Sequence, residues 1–581
     1  MMNYIEQAQR FVDEETQFHL GFLPTEQSSP LTRGLDAVFA GNTMDGVRML
    51  QRVDWNVLEM AERILVSDTF HAMVKAGVAA LQSGHKIVFS GCGSTGRLSV
   101  LLEAMWRRYF LDHPGPLANR YGDAVFSIMT GGDYALIRAV EFFEDYQEFG
   151  RQQVRELGMG NGDMLIAITE GGETSSVLGT VDEAARRGVT VFLLFNNPAE
   201  LIHEKLERCR QAIDNPRVTV LDLSCGPMAI AGSTRMQATT AEQLIAGAAL
   251  EEMIYHVTDS HPSARDYAAE FRSLLEQLGA PESVEAIANY LEFEVGVYSS
   301  QGLITYFADD FLLDIFTDTT ERTPTFMLPP FRQSDDRVSP QSWAFVKNPL
   351  LPTPEAWQRC LSRAPRCLSW GHDDYERMGA ADKIAQTPPQ LGPAELMKFI
   401  IGNEDTPCRY QDVPGTAVLI GAGNGLNQPE FAELEAVFER ASVPYQQRKR
   451  LLVGIPDEAV GAFVVPFHTN ESPLRLMEHL ALKLVMNTIS TGTMVRMGRV
   501  SGNWMTWVNV SNKKLLDRGV RLVAELCGIP YRKACEELFK SIEELKLAQP
   551  SDAKPSPVQY TLNRLNARGV HNEVKSTVRE S

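Results

Sequence analysis

The chain has 581 residues, 44% of them hydrophobic and 22% charged, with a formal net charge of −19. That length exceeds a single compact core and calls for at least two domains, while the acidic balance excludes a general binder of nucleic acid or of anionic membranes, which needs a basic face. Eight cysteines are dispersed with no C-x-x-C pair, so they read as reduced thiols and not as a zinc site or a disulfide framework. The polar, acidic start MMNYIEQAQRFVDEETQ is no signal peptide. No apolar stretch is long enough to span a bilayer, so a cytoplasmic protein is expected.

Residues 1–81 read as a helix-rich segment ahead of the first strand. From Lys86 short apolar runs alternate with amphipathic stretches. KIVFS leads into GRLSVLLEAMWRRYF, and DAVFSIM leads into YALIRAVEFFEDYQEFGRQQVREL. DMLIAIT leads into TSSVLGTVDEAARRG; VTVFLLF and RVTVLDL follow, the last feeding STRMQATTAEQLIAGAALEEMIYHV. The runs lack polar alternation, as strands covered on both faces do, and strand-helix repetition predicts a doubly wound parallel sheet. A second set of strands is expected at GLITYFA, SWAFVKN, TAVLIGAGN, KRLLVGI and GAFVVPF, closed by the helix SPLRLMEHLALKLVMNTISTGTMVRMG. The fold expected is therefore α/β, two doubly wound modules in tandem over residues 82–260 and 261–500. A helical cap and polar tail over 501–581 follow, the cap interrupted at Gly528 and Pro530.

In such sheets ligands bind beyond the C-terminal strand ends. Three of those ends in the first module open helices with hydroxyls: GCGSTG at 91–96, TEGGETSS at 169–176 and AGSTRMQ at 231–237. Each alone is an ordinary turn or N-cap. Together they predict a phosphorylated ligand held by backbone amides, hydroxyls and helix N-termini. Although the first turn has the G-x-G-x-x-G spacing, no acidic residue ends the next strand to hold a ribose, which argues against a dinucleotide. GAGNG at 421–425 reads as a degenerate site or a plain turn. No H-E-x-x-H, carboxylate cluster or Cys/His set points to a metal, and no cofactor is expected.

The set FSGCGSTGRLSV, TGGDYALIRAVEFFED, AITEGGET and GSTRMQATTAEQ resembles the sugar isomerase (SIS) module. The match is to the branch shared by N-acetylmuramic acid 6-phosphate etherases and glucokinase regulatory proteins. LPTEQSSPLTRGLD and LKLVMNTISTGTMVRMGRVSGNWMTWVNVSNKKL are similar to the segments that open the etherases and close both families. In the etherases the S-[ST]-R-M helix runs directly into the N-T-x-S-T-G segment within one module, whereas here a whole α/β unit separates Ser233–Met236 from Asn487–Gly492, the layout of the regulatory proteins. The resemblance implies a phosphorylated sugar as ligand, a hexose or amino-sugar 6-phosphate, on Gly93, Ser94, Thr95, Gly172, Glu173, Thr174 and Ser233. It implies that Lys483 of the second module completes the site, and it leaves room for a protein partner such as a sugar kinase. The etherases use two glutamates as base and acid. One matches Glu144, the candidate catalytic residue; the other falls on Met105, which takes no proton. Glu103, two residues away, is turned by roughly 200° on a helix. A sugar-phosphate-sensing protein is expected ahead of a lyase or isomerase.

Overall fold

The computed structural model describes residues 3–140, 142–260, 265–510, 512–547 and 556–567. Two five-stranded parallel sheets form the frame. In the first, β1 (Ile87–Gly91), β2 (Val125–Met129), β3 (Met164–Ile168), β4 (Thr190–Phe195) and β5 (Val218–Asp222) lie in the order β2-β1-β3-β4-β5. The second holds β6 (Leu303–Phe307), β7 (Ala344–Lys347), β8 (Gly415–Ala422), β9 (Gln447–Val453) and β10 (Phe463–Val465) in the order β10-β9-β8-β6-β7. Read from β7, that is the same winding, so the chain carries one topology twice. All ten strands fall on the apolar runs named above. β1 pairs on both sides, with Ile87 opposite Val125 and Met164, and every side chain of β1, β3 and β8 is buried. Sheets covered on both faces leave no place for polar alternation.

Six helices position the site: α1 (Ser94–Asp112), α2 (Ser175–Arg186), α3 (Gln237–Val257), α4 (Leu312–Phe326), α5 (Leu476–Arg496) and α6 (Lys513–Cys527). The long helices that close the two modules, α3 and α5, pack against each other. Only Glu252, Tyr255 and His256 of α3 escape full burial. Burying a helix on all sides requires an apolar circumference, which QATTAEQLIAGAALEEMIYHV supplies with small residues. α1 also packs on α4. The modules are tied there by Arg97 with Glu321, and by Arg235 with Asp318 at 3.0 Å, Ser490 Oγ at 3.0 Å and Thr491 Oγ1 at 2.6 Å.

The run YALIRAVEFFEDYQEFGRQQVREL is not the continuous helix its pattern predicts. It breaks into 3-10 turns at Asp133–Leu136 and Phe143–Asp145 before a helix at Gln147–Glu156. Tertiary packing overrides local propensity. Phe142 adopts φ 68°, and Phe143 turns inward to stack on Trp370 at 6.2 Å while Phe149 meets Tyr375 at 5.7 Å. Both partners belong to a second-module segment that lies over this edge of the first.

The cap draws on both ends of the chain. Tyr4–Glu14 buries Ala8 and Phe11 against α6 and the helix Tyr531–Leu547. Gly528, at φ 64°, ends α6 as its sequence predicts. Part of the expected polar tail is ordered: Pro557–Ala567 is a helix that buries Val558, Leu562 and Leu565 against the cap. The rest of the tail, 548–555 and 568–581, lies outside the described residues. No single helix among the described residues is long and apolar enough to cross a membrane.

Candidate functional site

The turn after β1 is built by its glycines. A Cβ on Gly91 would lie 2.3 Å from the Thr95 carbonyl, and Gly93 sits at φ 57°. The chain can therefore fold tightly enough to start α1 at Ser94. Thr95 is buried, and its hydroxyl closes this turn by accepting from the Cys92 N–H (3.0 Å) and donating to the Cys92 carbonyl (2.9 Å). Ser94 is half-buried, and its hydroxyl bonds to no described residue.

Beyond the strand ends of the first sheet lies a cavity of about 300 Å³. Gly93, Ser94, Glu144, Thr174 and Ser233 all line it, so five of the residues singled out from sequence converge. Thr95, Gly172 and Glu173 stand behind the wall. Gly172, at φ +79°, lets the second turn pass against Ile202. Buried Glu173 accepts from Lys514 Nζ (2.7 Å) and Arg208 Nη2 (2.7 Å). Burial opposes its charge, yet Lys514 and Arg208 outweigh that and hold the carboxyl below its ordinary range.

Sequence reasoning missed the far wall. Asn512, Lys514, Leu515 and Arg518 of the cap face the cavity, as do Glu321, Pro324 and Thr325 of α4 and Glu170 of the second turn. Lys514 and Arg518 lie four residues apart on the first turns of α6, a spacing that puts both on one helix face; that signal was available in NKKLLDR. Arg518 forks onto Glu26 at 2.9 and 2.7 Å and lies against Gly232, where a Cβ would meet its Nε at 2.3 Å. Burial works against the charge of Lys514, but Glu173, Glu26 and Glu144 outweigh it and raise its pKa.

Glu144 accepts one hydrogen bond, from Asn512 Nδ2 at 2.7 Å. It sits on a short turn, not on the wet face of a helix, and burial pushes its carboxyl up. Glu170 accepts from Thr234 Oγ1 at 3.2 Å, and burial pushes it up to about 7. Arg235, 4% exposed, keeps a buried Nε–H with no acceptor among the described residues. Arg235 lines the cavity, but this Nε is itself closed to solvent.

Lys483 does cross between modules, but not into this cavity. Its Nζ donates to the Arg235 carbonyl (3.1 Å), the Met236 carbonyl (3.2 Å), Thr240 Oγ1 (2.8 Å) and Asn487 Oδ1 (3.0 Å). It shares only a small void, of about 30 Å³, with Ser94. Burial pushes its pKa down to about 7. Met105 is buried and faces the second module's cleft. Glu103 is no substitute for the missing carboxylate. It is fully buried among Arg107 (2.7 Å), Arg363 (3.1 Å), Arg366 and Ser127 (2.6 Å).

The corresponding cleft of the second module is larger, about 500 Å³, but its chemistry differs. Asp309 and Asp310 follow β6 where Gly93 and Ser94 follow β1. The Gly421–Gly425 turn is already filled: Glu478 Oε1 accepts from the Asn424 N–H at 3.1 Å, and a Cβ on Gly423 would strike that carboxylate at 2.2 Å. The protein's own carboxylate occupies the amide donors that an anion would need. His479 in this cleft is bonded to Asp314 at 2.9 Å.

Residues 69–185 match the family model described as the glucokinase regulatory protein N-terminal SIS domain. The chain is 31% identical over 227 residues to N-acetylmuramic acid 6-phosphate etherase 1 of Bacillus licheniformis, covering 39% of this chain and 67% of that one. It is 28% identical over 229 residues to N-acetylmuramic acid 6-phosphate etherase of Aliivibrio fischeri, covering 38% and 66%. The alignments thus span about two thirds of these relatives. Among solved structures, tagatose-6-phosphate ketose/aldose isomerase from Escherichia coli aligns over 80% of this chain and 95% of its own, with a TM-score of 0.45 and 10% identity.

Proposed function

The chain belongs to the SIS-domain family of the N-acetylmuramic acid 6-phosphate etherase and glucokinase regulatory protein type, and on that premise we propose that it binds a phosphorylated sugar in the first-module cavity and senses it. The observation that carries this reading is convergence on one wall. Ser94, Ser233, Thr174 at the start of α2 and the N-terminus of α1 all meet there. Such donors suit the three oxygens of a phosphate monoester. A role in sensing is supported by the cavity's makeup. The first module supplies the turns, the second supplies Glu321, Pro324 and Thr325, and the cap supplies Asn512, Lys514 and Arg518. A ligand touching all three bodies binds one arrangement of them better than another, which is what a switch requires.

A lyase or isomerase acting on an amino-sugar phosphate is the second reading, favoured by Glu144, a carboxylate whose burial makes it a competent proton acceptor or donor. The occupied Glu103 and the methionine at 105 weigh against the two-glutamate etherase reaction. Titration calorimetry with hexose 6-phosphates, run beside an assay of lactate released from N-acetylmuramic acid 6-phosphate, separates the readings. Saturable binding without lactate release is expected. Release that disappears in Glu144→Gln makes the protein an etherase, and absence of binding by any sugar phosphate refutes the sensing role.

A further inference from the structure

Four basic side chains face the cavity, and each has an acid of its own. Arg97 pairs with Glu321, Arg235 with Asp318 (3.0 Å), Lys514 with Glu173 (2.7 Å) and Arg518 with Glu26 (2.7 Å). Two carboxylates on the wall are left over. Glu144 accepts from the Asn512 amide, and Glu170 from the Thr234 hydroxyl and its own backbone N–H. Among the described residues neither is ion-paired. Each is close enough to Cys92, on the same wall, to act on its thiol, which burial and then these carboxylates push up to about 12.

A half-buried carboxylate with no ion-pair partner, as Glu144 and Glu170 both are, is stabilised by a ligand that supplies the missing charge. A sugar phosphate that brought only negative charge would deepen the imbalance, whereas one carrying an ammonium group would correct it. Resting on the reading of this cavity as a sugar-phosphate site, we propose that the ligand is an amino-sugar phosphate with a free, unacylated amine, whose ammonium donates hydrogen bonds to Glu144 and Glu170. The phosphate then takes the turn hydroxyls and the α1 amides. An N-acyl group removes the charge and enlarges the substituent, so acylated ligands fit this wall worse.

The test compares three probes by calorimetry on the full chain: glucosamine 6-phosphate, glucose 6-phosphate and N-acetylglucosamine 6-phosphate. Glucosamine 6-phosphate is expected to bind tighter than glucose 6-phosphate by roughly tenfold or more, the worth of hydrogen bonds between charged groups, with the N-acetyl sugar weakest. In Glu170→Gln, and separately in Glu144→Gln, that ratio should fall. A wild-type ratio near one overturns the amine requirement and leaves the sugar-phosphate reading standing. A ratio unchanged in both variants overturns the role of these carboxylates. Failure of all three sugars to bind refutes both the reading and the inference.

Discussion

Replacing Lys483 by methionine isolates what the second module does for the first. The substitution keeps the apolar stem and removes a donor with four oxygen acceptors. Three of them keep other partners. The Arg235 carbonyl still accepts from Thr239 Oγ1 (2.6 Å), the Met236 carbonyl still accepts from the Thr240 N–H (3.0 Å), and Thr240 Oγ1 still donates to that carbonyl (2.7 Å). Only Asn487 Oδ1 is orphaned. One unsatisfied buried acceptor costs about 1–3 kcal/mol, offset at pH 7 by the cost of burying the lysine's charge, which methionine does not carry. The loss should grow with pH. The folded pKa of about 7 lies below the ordinary 10.5, so between those values the unfolded chain holds a proton that the folded chain lacks. Wild-type stability therefore rises through this window, by about 2 kcal/mol from pH 7 to pH 9, and the variant has no such gain. Asp54 acts in the same sense. Burial, opposed by Lys483, holds it up at about 7. Without the lysine it rises further, and the proton held by the folded variant makes its stability fall as pH rises above 7. Urea denaturation of both proteins at pH 7 and pH 9 measures the difference. An equal loss at the two pH values would refute the reasoning and show that the four acceptors keep the ammonium charged in the fold.

Ser94→Ala should lower hexose-phosphate affinity by calorimetry with no shift in melting temperature, whereas Thr95→Ala should lose about 1 kcal/mol of stability as well, because its hydroxyl closes the turn. Glu26 is buried, and although burial opposes its charge, Arg518 and Arg521 hold it down at about 2. Its contribution is complete above the ordinary 4.5 and is lost as pH falls toward 2. Between pH 5 and pH 3 the wild type should therefore lose about 2 kcal/mol more than Glu26→Gln in urea titrations. Glu103→Gln leaves Arg107, Arg363 and Arg366 without their carboxylate and should cost about 3–5 kcal/mol by the same measurement.

All ten strands and the three hydroxyl-bearing turns could be read from the chain, because each depends on local pattern: an unbroken apolar run, then glycine and hydroxyls where a helix begins. The 134–157 segment was misread because its helical periodicity is real, but Phe143 and Phe149 gain more by packing on Trp370 and Tyr375, more than 200 residues away. The same distance hid Lys514 and Arg518, which reach the cavity only once the cap folds back over the first module. Lys483 was expected to complete the site from the second module, but a side chain of that length reaches either the helix start or the turn, and only packing decides which. The fate of Glu103 was equally out of reach, since two of its three arginines come from the other module.

Two modules of one winding, joined in a single chain, meet as the halves of a dimer would. In a homodimer every substitution appears twice, so a change that fills one cleft fills the other. Covalent linkage breaks that constraint. Here one copy keeps its glycine turn open, while the other has placed Asp309, Asp310 and Glu478 where an anion would sit. The filled copy is free to evolve as a wall and a lever: it lends α4 to its neighbour's cavity and a buried lysine to its neighbour's helix start. On the function proposed above, a protein arranged this way would hold one ligand per chain, and its response to that ligand would be graded with concentration unless chains associate.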